Sequence, residues 1–150
     1  MIKAYLDANV FLFYIENGLT NSKLVIKAAE DGLFIPVVSF HTFQEVSHNL
    51  KSRKSKDTAS WMQIFIWSIQ GLTVIPKKEI DNLIEDYEAL VDDRDDLPHI
   101  CGYFSGNCDH FVTTNRRLTK MKIKEHVDFI TPKKLLDILG IRSIDTKDGI

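Results

Sequence analysis

The sequence predicts a single α/β domain with three layers, α/β/α, in which helices cover both faces of a central parallel sheet of about five strands. One observation and one general rule lead to this prediction. Short β-branched or aromatic runs alternate along the chain with longer segments whose apolar residues recur at helical spacing. Strands that alternate with helices are joined by right-handed crossovers, which make the strands parallel and place helices on both faces.

Length and composition agree with one domain. The chain has 150 residues, of which 44% are hydrophobic and 27% charged, so it is long enough to bury a core of its own. We expect the domain to span residues 1–141 and the polar residues 142–150 to form a frayed tail.

Each element has its own sequence signal. The predicted strands are Ile2–Leu6, Phe34–Val38, Leu72–Ile75, His110–Thr113 and Val127–Ile130. A helical pattern follows the first strand directly, and the later predicted helices are Asn21–Asp31, Ser39–Arg53, Thr58–Gln70, Lys77–Leu90, Leu97–Ser105 and Lys133–Leu139. Gly32 and Gly71 each end a helix, Ser39 caps the start of another, and Pro132 opens the last.

Net charge, cysteine spacing and sequence motifs limit the possible functions. The net charge of −2 at pH 7 favours no particular class of partner. Cys101 and Cys108 have neither the spacing of a CxxC redox pair nor that of a zinc site, so we expect packed thiols in a reducing, cytoplasmic setting. No secretory pattern and no bilayer-length apolar run is found, so no membrane association is expected. Glycine-rich nucleotide-binding loops are absent from the sequence.

The first candidate site residue is Asp7, which directly follows the first predicted strand. Ligands of an open parallel sheet bind beyond the carboxyl ends of its strands. Asp7 therefore lies where such a fold carries its chemistry, provided that other acids reach the same edge.

The second candidate is Glu45, six residues after the helix cap Ser39. This spacing puts Glu45 in the second turn of its helix, near the carboxyl edge of the second strand. A solvated helix glutamate is the alternative interpretation, because glutamate is a common helix former.

The third candidate is the run Asp92-Asp93-Arg94-Asp95-Asp96, which precedes a predicted helix. Its acids repel one another, and a divalent cation would relieve that repulsion. The alternative is a helix start, where carboxylates favour the dipole. His99 follows Asp96 by three residues, so both can share a helix face, and His99 is either a site contact or a packed histidine.

The fourth predicted strand ends in Thr113-Thr114-Asn115-Arg116-Arg117. The hydroxyls and the amide can bind a water on a metal ion or a phosphate oxygen, and arginine matches the geometry of phosphate. An asparagine helix cap followed by solvated arginines is the alternative.

Oxygen donors from several strand ends indicate a hard divalent cation, because Mg²⁺ and Mn²⁺ prefer oxygen ligands. Such ions polarise a phosphodiester and lower the pKa of a bound water. The candidate metal ligands are Asp7, Glu45 and Asp96, with Asp93 as a further candidate.

At these residues the chain resembles the PIN domain family, metal-dependent ribonucleases that include the VapC-type toxins. The segments that resemble the family's motifs are Leu6–Phe11, Ser39–Val46, Asp95–Ile100, Asp109–Leu118 and Phe129–Leu136. The resemblance implies a PIN-like fold and an endoribonuclease that uses Mg²⁺ or Mn²⁺. The implied catalytic residues are Asp7, Glu45, Asp96 and Asn115, and the candidate substrate contacts are Asn9, Thr113, Arg116 and Arg117.

Asn115 departs from the family's pattern, in which the fourth motif usually carries an aspartate two residues after its threonine. An amide ligates through its carbonyl oxygen but brings no negative charge. We therefore expect a second metal ion to be held more weakly and activity to be reduced or to rest on one ion.

Two other functions stay open at this point. A PIN-like fold that has lost catalysis would serve as an RNA-binding or protein-binding module, and Asn115 motivates that alternative. A haloacid-dehalogenase-like phosphatase is the other, because Asp7-Ala8-Asn9 resembles the DxD motif of that family. The asparagine at the third position and the lack of a later lysine motif weaken it.

The implied partners are RNA and, for a VapC-type toxin, an antitoxin protein. The predicted helix Thr58–Gln70 carries Trp61, Phe65 and Trp67 on more than one face. Core packing is the favoured explanation of these aromatics, and a homodimer or partner surface is the alternative.

Overall fold

One parallel sheet organises the molecule. The computed structural model describes residues 1–15 and 18–145. Its five parallel strands are β1 (Lys3–Leu6), β2 (Ile35–Ser39), β3 (Thr73–Ile75), β4 (His110–Val112) and β5 (Phe129–Ile130), in the spatial order β3-β2-β1-β4-β5. The predicted sheet is confirmed, and each strand lies close to its predicted position.

Helices connect the strands and cover the sheet. The α-helices of the described residues are α1 (Ala8–Tyr14), α2 (Asn21–Glu30), α3 (Phe40–Arg53), α4 (Lys56–Ser68), α5 (Lys77–Tyr87), α6 (Leu97–Ser105) and α7 (Pro132–Ile138). Helix α4 begins earlier than predicted because the Ser55 hydroxyl accepts the Thr58 backbone N–H at 3.0 Å and so caps the first turn. None of these helices combines the length and apolarity that a bilayer crossing requires.

The strand order reverses next to β1. The chain runs from β1 outwards to β2 and β3, and then returns to place β4 on the other side of β1. Tyr5 pairs in register with Val37 of β2 and with Phe111 of β4. In open α/β sheets the crevice at such a reversal is the ligand site, so the carboxyl ends of β1 and β4 define the part of the molecule where chemistry is expected.

Successive residues of the central strands face two different cores. Leu6, Val38 and Val112 pack in the core that α1, α2, α3, α4 and α7 cover. Tyr5 and Phe111 face the core that α5 and α6 cover. Because both faces are buried, the strands read as nearly continuous apolar runs. The predicted α/β/α layering is confirmed.

Core packing, the explanation favoured from the sequence for the aromatic residues of α4, holds for Phe65, which packs against the core, but is wrong for Trp61 and Trp67. Trp61 is 51% exposed and Trp67 is 61% exposed. Their rings stack on partly or fully buried neighbours, Trp61 on Phe65 and Trp67 on Phe43, with centroids 5.4 and 4.8 Å apart. The outer face of α4 is therefore an aromatic surface.

Ile144, which lies beyond the predicted domain boundary at residue 141, is hydrogen-bonded to α2. The backbone of Ile144 pairs with the side chain of Asn21, donating to its Oδ1 and accepting from its Nδ2, each at 2.8 Å. Residues 146–150 of the expected tail lie outside the described residues, and the boundary stays a prediction.

Candidate functional site

Asp7 lies at the switch point between β1 and β4. Its backbone N–H donates to the Val112 carbonyl at 3.0 Å, which continues the β1–β4 ladder and aligns Asp7 with Thr113. The Thr113 hydroxyl donates to Asp7 Oδ2 at 2.7 Å. Only 7% of Asp7 is exposed. Burial raises the pKa of this carboxyl group, against the lowering effect of His99 and of the Thr113 hydrogen bond.

Helix α3 brings Glu45 to the same edge. Ser39 begins the helix, and the Thr42 hydroxyl accepts the Ser39 backbone N–H at 3.1 Å, which fixes the first turn. Glu45 follows one turn later, and its Oε2 lies 3.0 Å from Nε2 of His99. Asp7, Glu45 and His99 each offer a ligand atom, and these three atoms lie within 4.8 Å of one another. The structure thus joins two acids of the predicted site with a histidine.

A buried tyrosine orients that histidine. The Tyr5 hydroxyl lies 2.7 Å from Nδ1 of His99, and it also contacts the hydroxyls of Ser39 and Thr42 at 2.8 and 3.2 Å. Tyr5 is fully buried and His99 is 5% exposed. Buried polar groups need such partners, because an unpaired one costs about 1–3 kcal/mol. The network therefore holds the imidazole with Nε2 directed towards the acids.

The pKa of His99 is raised well above its usual value. Burial alone would lower it, but Tyr5, the hydrogen bond with Glu45 and the charge of Asp7 together outweigh burial. The raised pKa favours the protonated ring, whose Nδ1 contacts the Tyr5 hydroxyl and whose Nε2 lies 3.0 Å from Glu45 Oε2.

Asp96 lies beside this group and is bound to an arginine. Its Oδ2 accepts from Arg117 Nη2 at 2.9 Å, and Arg117 Nη1 donates to Asp93 Oδ2 at 2.8 Å. Burial raises the pKa of Asp96 to about 6; Arg117 opposes this rise, whereas Asp93 and Asp7 add to it. Asp96 thus interacts electrostatically with Asp7, and it lies outside the group of three close ligand atoms.

The loop after β4 carries the remaining predicted residues. Asn115 Oδ1 accepts the Arg117 backbone N–H at 3.0 Å, so the amide caps a turn. Arg116 is exposed, and Asn9 is half-buried in the first turn of α1. The roles assigned to these side chains from the sequence stay predictions.

Tyr5 was not among the site residues predicted from the sequence, and the sequence left the role of His99 open. A hydroxyl-bearing residue in a largely apolar strand is the signal that could have indicated Tyr5, since a buried tyrosine hydroxyl usually finds a partner. Arg117 was expected to face phosphate, whereas it binds two of the candidate acids.

The donor set fits a divalent metal ion. Asp7 is a buried carboxylate with a second carboxylate close by, and a cation stabilises both ionised forms. The hydrogen bond from Nδ1 to Tyr5 leaves Nε2 of His99 as the ligand nitrogen, the usual arrangement in metal sites. Carboxylate oxygens suit Mg²⁺ and Mn²⁺, and the imidazole shifts the preference towards Mn²⁺ and other transition metals.

Two solved structures share this fold. One is the crystal structure of VapBC2 from Rickettsia felis bound to a DNA fragment from their promoter. Its matching chain has 14% sequence identity and a TM-score of 0.62, over 86% of this chain and 98% of that chain. The other is VapBC-1 from nontypeable Haemophilus influenzae, with 16% identity and a TM-score of 0.60, over 86% of this chain and 97% of that chain. No protein-family model and no curated protein matches the sequence.

At these identities the likeness establishes the fold. Both matches span nearly the whole length of the other chain, so the similarity covers a complete domain. The PIN-like fold that the sequence resemblance implied is confirmed.

Proposed function

We propose that this protein is a divalent-metal-dependent endoribonuclease that hydrolyses RNA phosphodiester bonds at the carboxyl edge of the sheet. The observation that carries the proposal is the convergence of Asp7, Glu45 and His99, with ligand atoms within 4.8 Å, at the switch point of a PIN-like fold. RNA as the substrate rests on the sequence resemblance to PIN-domain ribonucleases.

In this proposal each side chain has a distinct task. Asp7, Glu45 and His99 bind the ion, which is Mn²⁺ or Mg²⁺, and Thr113 and Tyr5 orient the first and last of these ligands. An ion held by these residues would polarise the scissile phosphodiester and lower the pKa of a water molecule. Asp96 contributes negative charge beside this set.

Basic side chains of the adjacent cleft support binding of the RNA backbone. Arg94 and Lys120 line one cavity together with Asp93, Asp96 and Arg117, and Arg117 is paired with those two acids. Arg94 also lines a second cavity that His99 and Glu45 border. Arg94 therefore lies between the metal ligands and the basic loop after β4, where it can hold a phosphate next to the ion.

The experiment is cleavage of single-stranded RNA by the purified protein with Mn²⁺, with and without chelator. Asp7→Asn should lower the rate by roughly 100-fold or more, since it removes a ligand charge of the metal site. Asp31→Asn is the matched control, because Asp31 is an exposed acid before β2, at the opposite edge of the sheet. Cleavage that survives chelation, or an Asp7→Asn rate equal to the control, contradicts the proposal.

A catalytically weakened RNA-binding or protein-binding module is the second candidate. Asn115 brings no charge to the site, and Arg117 offsets the charge of Asp93 and Asp96, so the negative charge that is available to metal ions is reduced. RNA binding that is insensitive to chelator, with no cleavage under any metal, would favour this module over the nuclease.

The toxin of a toxin–antitoxin pair is the narrower form of the proposal, with a cytoplasmic location and an antitoxin protein as partner. Support comes from the two similar structures, which are both VapBC complexes. The exposed aromatic surface of α4, around Trp61 and Trp67, offers a contact for that antitoxin or for a second copy of the chain.

A further inference from the structure

Arg117 bridges two carboxylates of the acidic centre. Its Nη1 lies 2.8 Å from Asp93 Oδ2, and its Nη2 lies 2.9 Å from Asp96 Oδ2. Each end of the planar guanidinium thus serves a different acid, which a single ammonium group would match poorly. The guanidinium takes the position between two carboxylates that a bridging cation would otherwise take.

Local hydrogen bonds fix both sides of this bridge. Asn115 Oδ1 accepts the Arg117 backbone N–H, and the Asn115 backbone N–H donates to Thr113 Oγ1, both at 3.0 Å. The same Thr113 hydroxyl donates to Asp7, so the loop that carries Arg117 is tied to the centre of the site. On the other side, Asp93 Oδ1 accepts the Asp95 backbone N–H at 2.9 Å. The backbone of Arg117 is therefore fixed by its loop, and the two ion pairs orient its guanidinium, although the side chain is 55% exposed.

The charges of the site then divide into two halves. Asp7 and Glu45, with His99, form the half that fits a divalent ion. Asp93 and Asp96 form the other half, and the positive charge of Arg117 lies between them. A second divalent ion at the Asp93–Asp96 half would have to displace the guanidinium and would be repelled by it. Asn115 adds no negative charge to offset that repulsion.

We propose that the Arg117 guanidinium is the built-in cation of the Asp93–Asp96 half of the site, so that the protein binds a single divalent ion, at Asp7, Glu45 and His99. This inference rests on the proposed function for the presence of that one ion. It assigns Asn115 a task as well, since the amide that replaces the family's acid caps the turn that presents Arg117.

The test counts bound Mn²⁺ by electron paramagnetic resonance and by titration calorimetry, with no RNA present. The wild-type protein should bind one ion. Arg117→Ala should bind two, because the vacated carboxylates then form a second site. Arg116→Ala is the matched control. Arg116 is the exposed neighbour of Arg117 in the sequence and carries the same charge, so this variant should bind one ion.

A double variant locates the second ion. Adding Asp93→Asn to Arg117→Ala removes one carboxylate of the vacated pair and should return the count to one. Thermal melts of all variants confirm folding, and Arg117→Gln serves as a second probe if the alanine variant unfolds.

The outcomes separate this inference from the proposed function. One ion in both the wild type and Arg117→Ala overturns the inference and leaves the metal-dependent function intact. Two ions in the wild type, or two in the double variant, also overturn it. No bound Mn²⁺ in any variant overturns the proposed function and this inference with it.

Discussion

Replacement of Asp96 by asparagine should stabilise the metal-free protein. The pKa of Asp96 is raised from 3.8 to about 6, mainly by burial, despite the ion pair with Arg117. Because the folded pKa lies above the unfolded value, the folded protein binds this proton more tightly. Stability is therefore lost as the pH rises from about 4 to about 6. An uncharged amide at this position does not ionise, so it does not lose stability in this way.

The magnitude follows from the pKa change. A rise from 3.8 to about 6 corresponds to about 3 kcal/mol, at about 1.4 kcal/mol per pKa unit. Asp96→Asn should thus gain up to about 3 kcal/mol in unfolding free energy at pH 7.5, and most of this gain should disappear at pH 4, where the wild-type acid is protonated. The measurement is urea unfolding at both pH values in the presence of a chelator.

Asp93→Asn is the matched control, because Asp93 binds the same arginine but its pKa is lowered, by the Asp95 backbone N–H and by Arg117. A lowered pKa means that the charged form stabilises the fold above the unfolded pKa, so this variant should be less stable than wild type at pH 7.5. The reasoning fails if Asp96→Asn is no more stable than wild type at pH 7.5, or if its gain is the same at pH 4.

Three further changes test the surroundings of the site. Tyr5→Phe keeps the ring but leaves the buried Nδ1 of His99 without its partner, so the unfolding free energy should fall by about 1–3 kcal/mol; an unchanged urea midpoint would argue against the network. Gly102→Ala puts a Cβ 2.7 Å from Cε2 of Tyr5. The ring must then shift, so the unfolding free energy should fall by about 1–3 kcal/mol in the same assay. A stability equal to that of the wild type would mean that the ring shifts without cost. Mn²⁺ must displace the Nε2 proton of a histidine whose pKa is raised, so Mn²⁺ affinity should fall as the pH is lowered. Calorimetry at pH 7 in two buffers of different ionisation enthalpy should then show about one proton released per ion. No proton release by wild type, or the same release by His99→Gln, would contradict that role of His99.

Local sequence signals predicted most of the fold. Glycine and proline at helix ends and apolar runs between them were sufficient to locate the strands, because these signals act over a few residues. Helix α4 shows the limit of such signals. The sequence predicted Thr58 as its first residue, whereas the Ser55 hydroxyl caps the helix and α4 begins at Lys56.

The sequence also placed Asp7 and Glu45 at one edge, and the reason is again simple. Residues that follow parallel strands, or begin the helices after them, are carried to the carboxyl edge by the topology itself. The grouping of these two acids within reach of one ion therefore needed only the correct strand assignment.

Sequence alone determined the α/β class, the edge of the sheet that carries the acids, and the first two acids. Only the tertiary structure decided that His99 completes the close group and contacts Tyr5, 94 residues away in the chain. It also decided that the exposed Arg117 pairs with Asp93 and Asp96. The physical reason is that the charge and type of a residue limit the partners that its side chain can bind. For Arg117, the partner is selected by the packing of the loop after β4 against the start of α6, and no local sequence pattern encodes that packing.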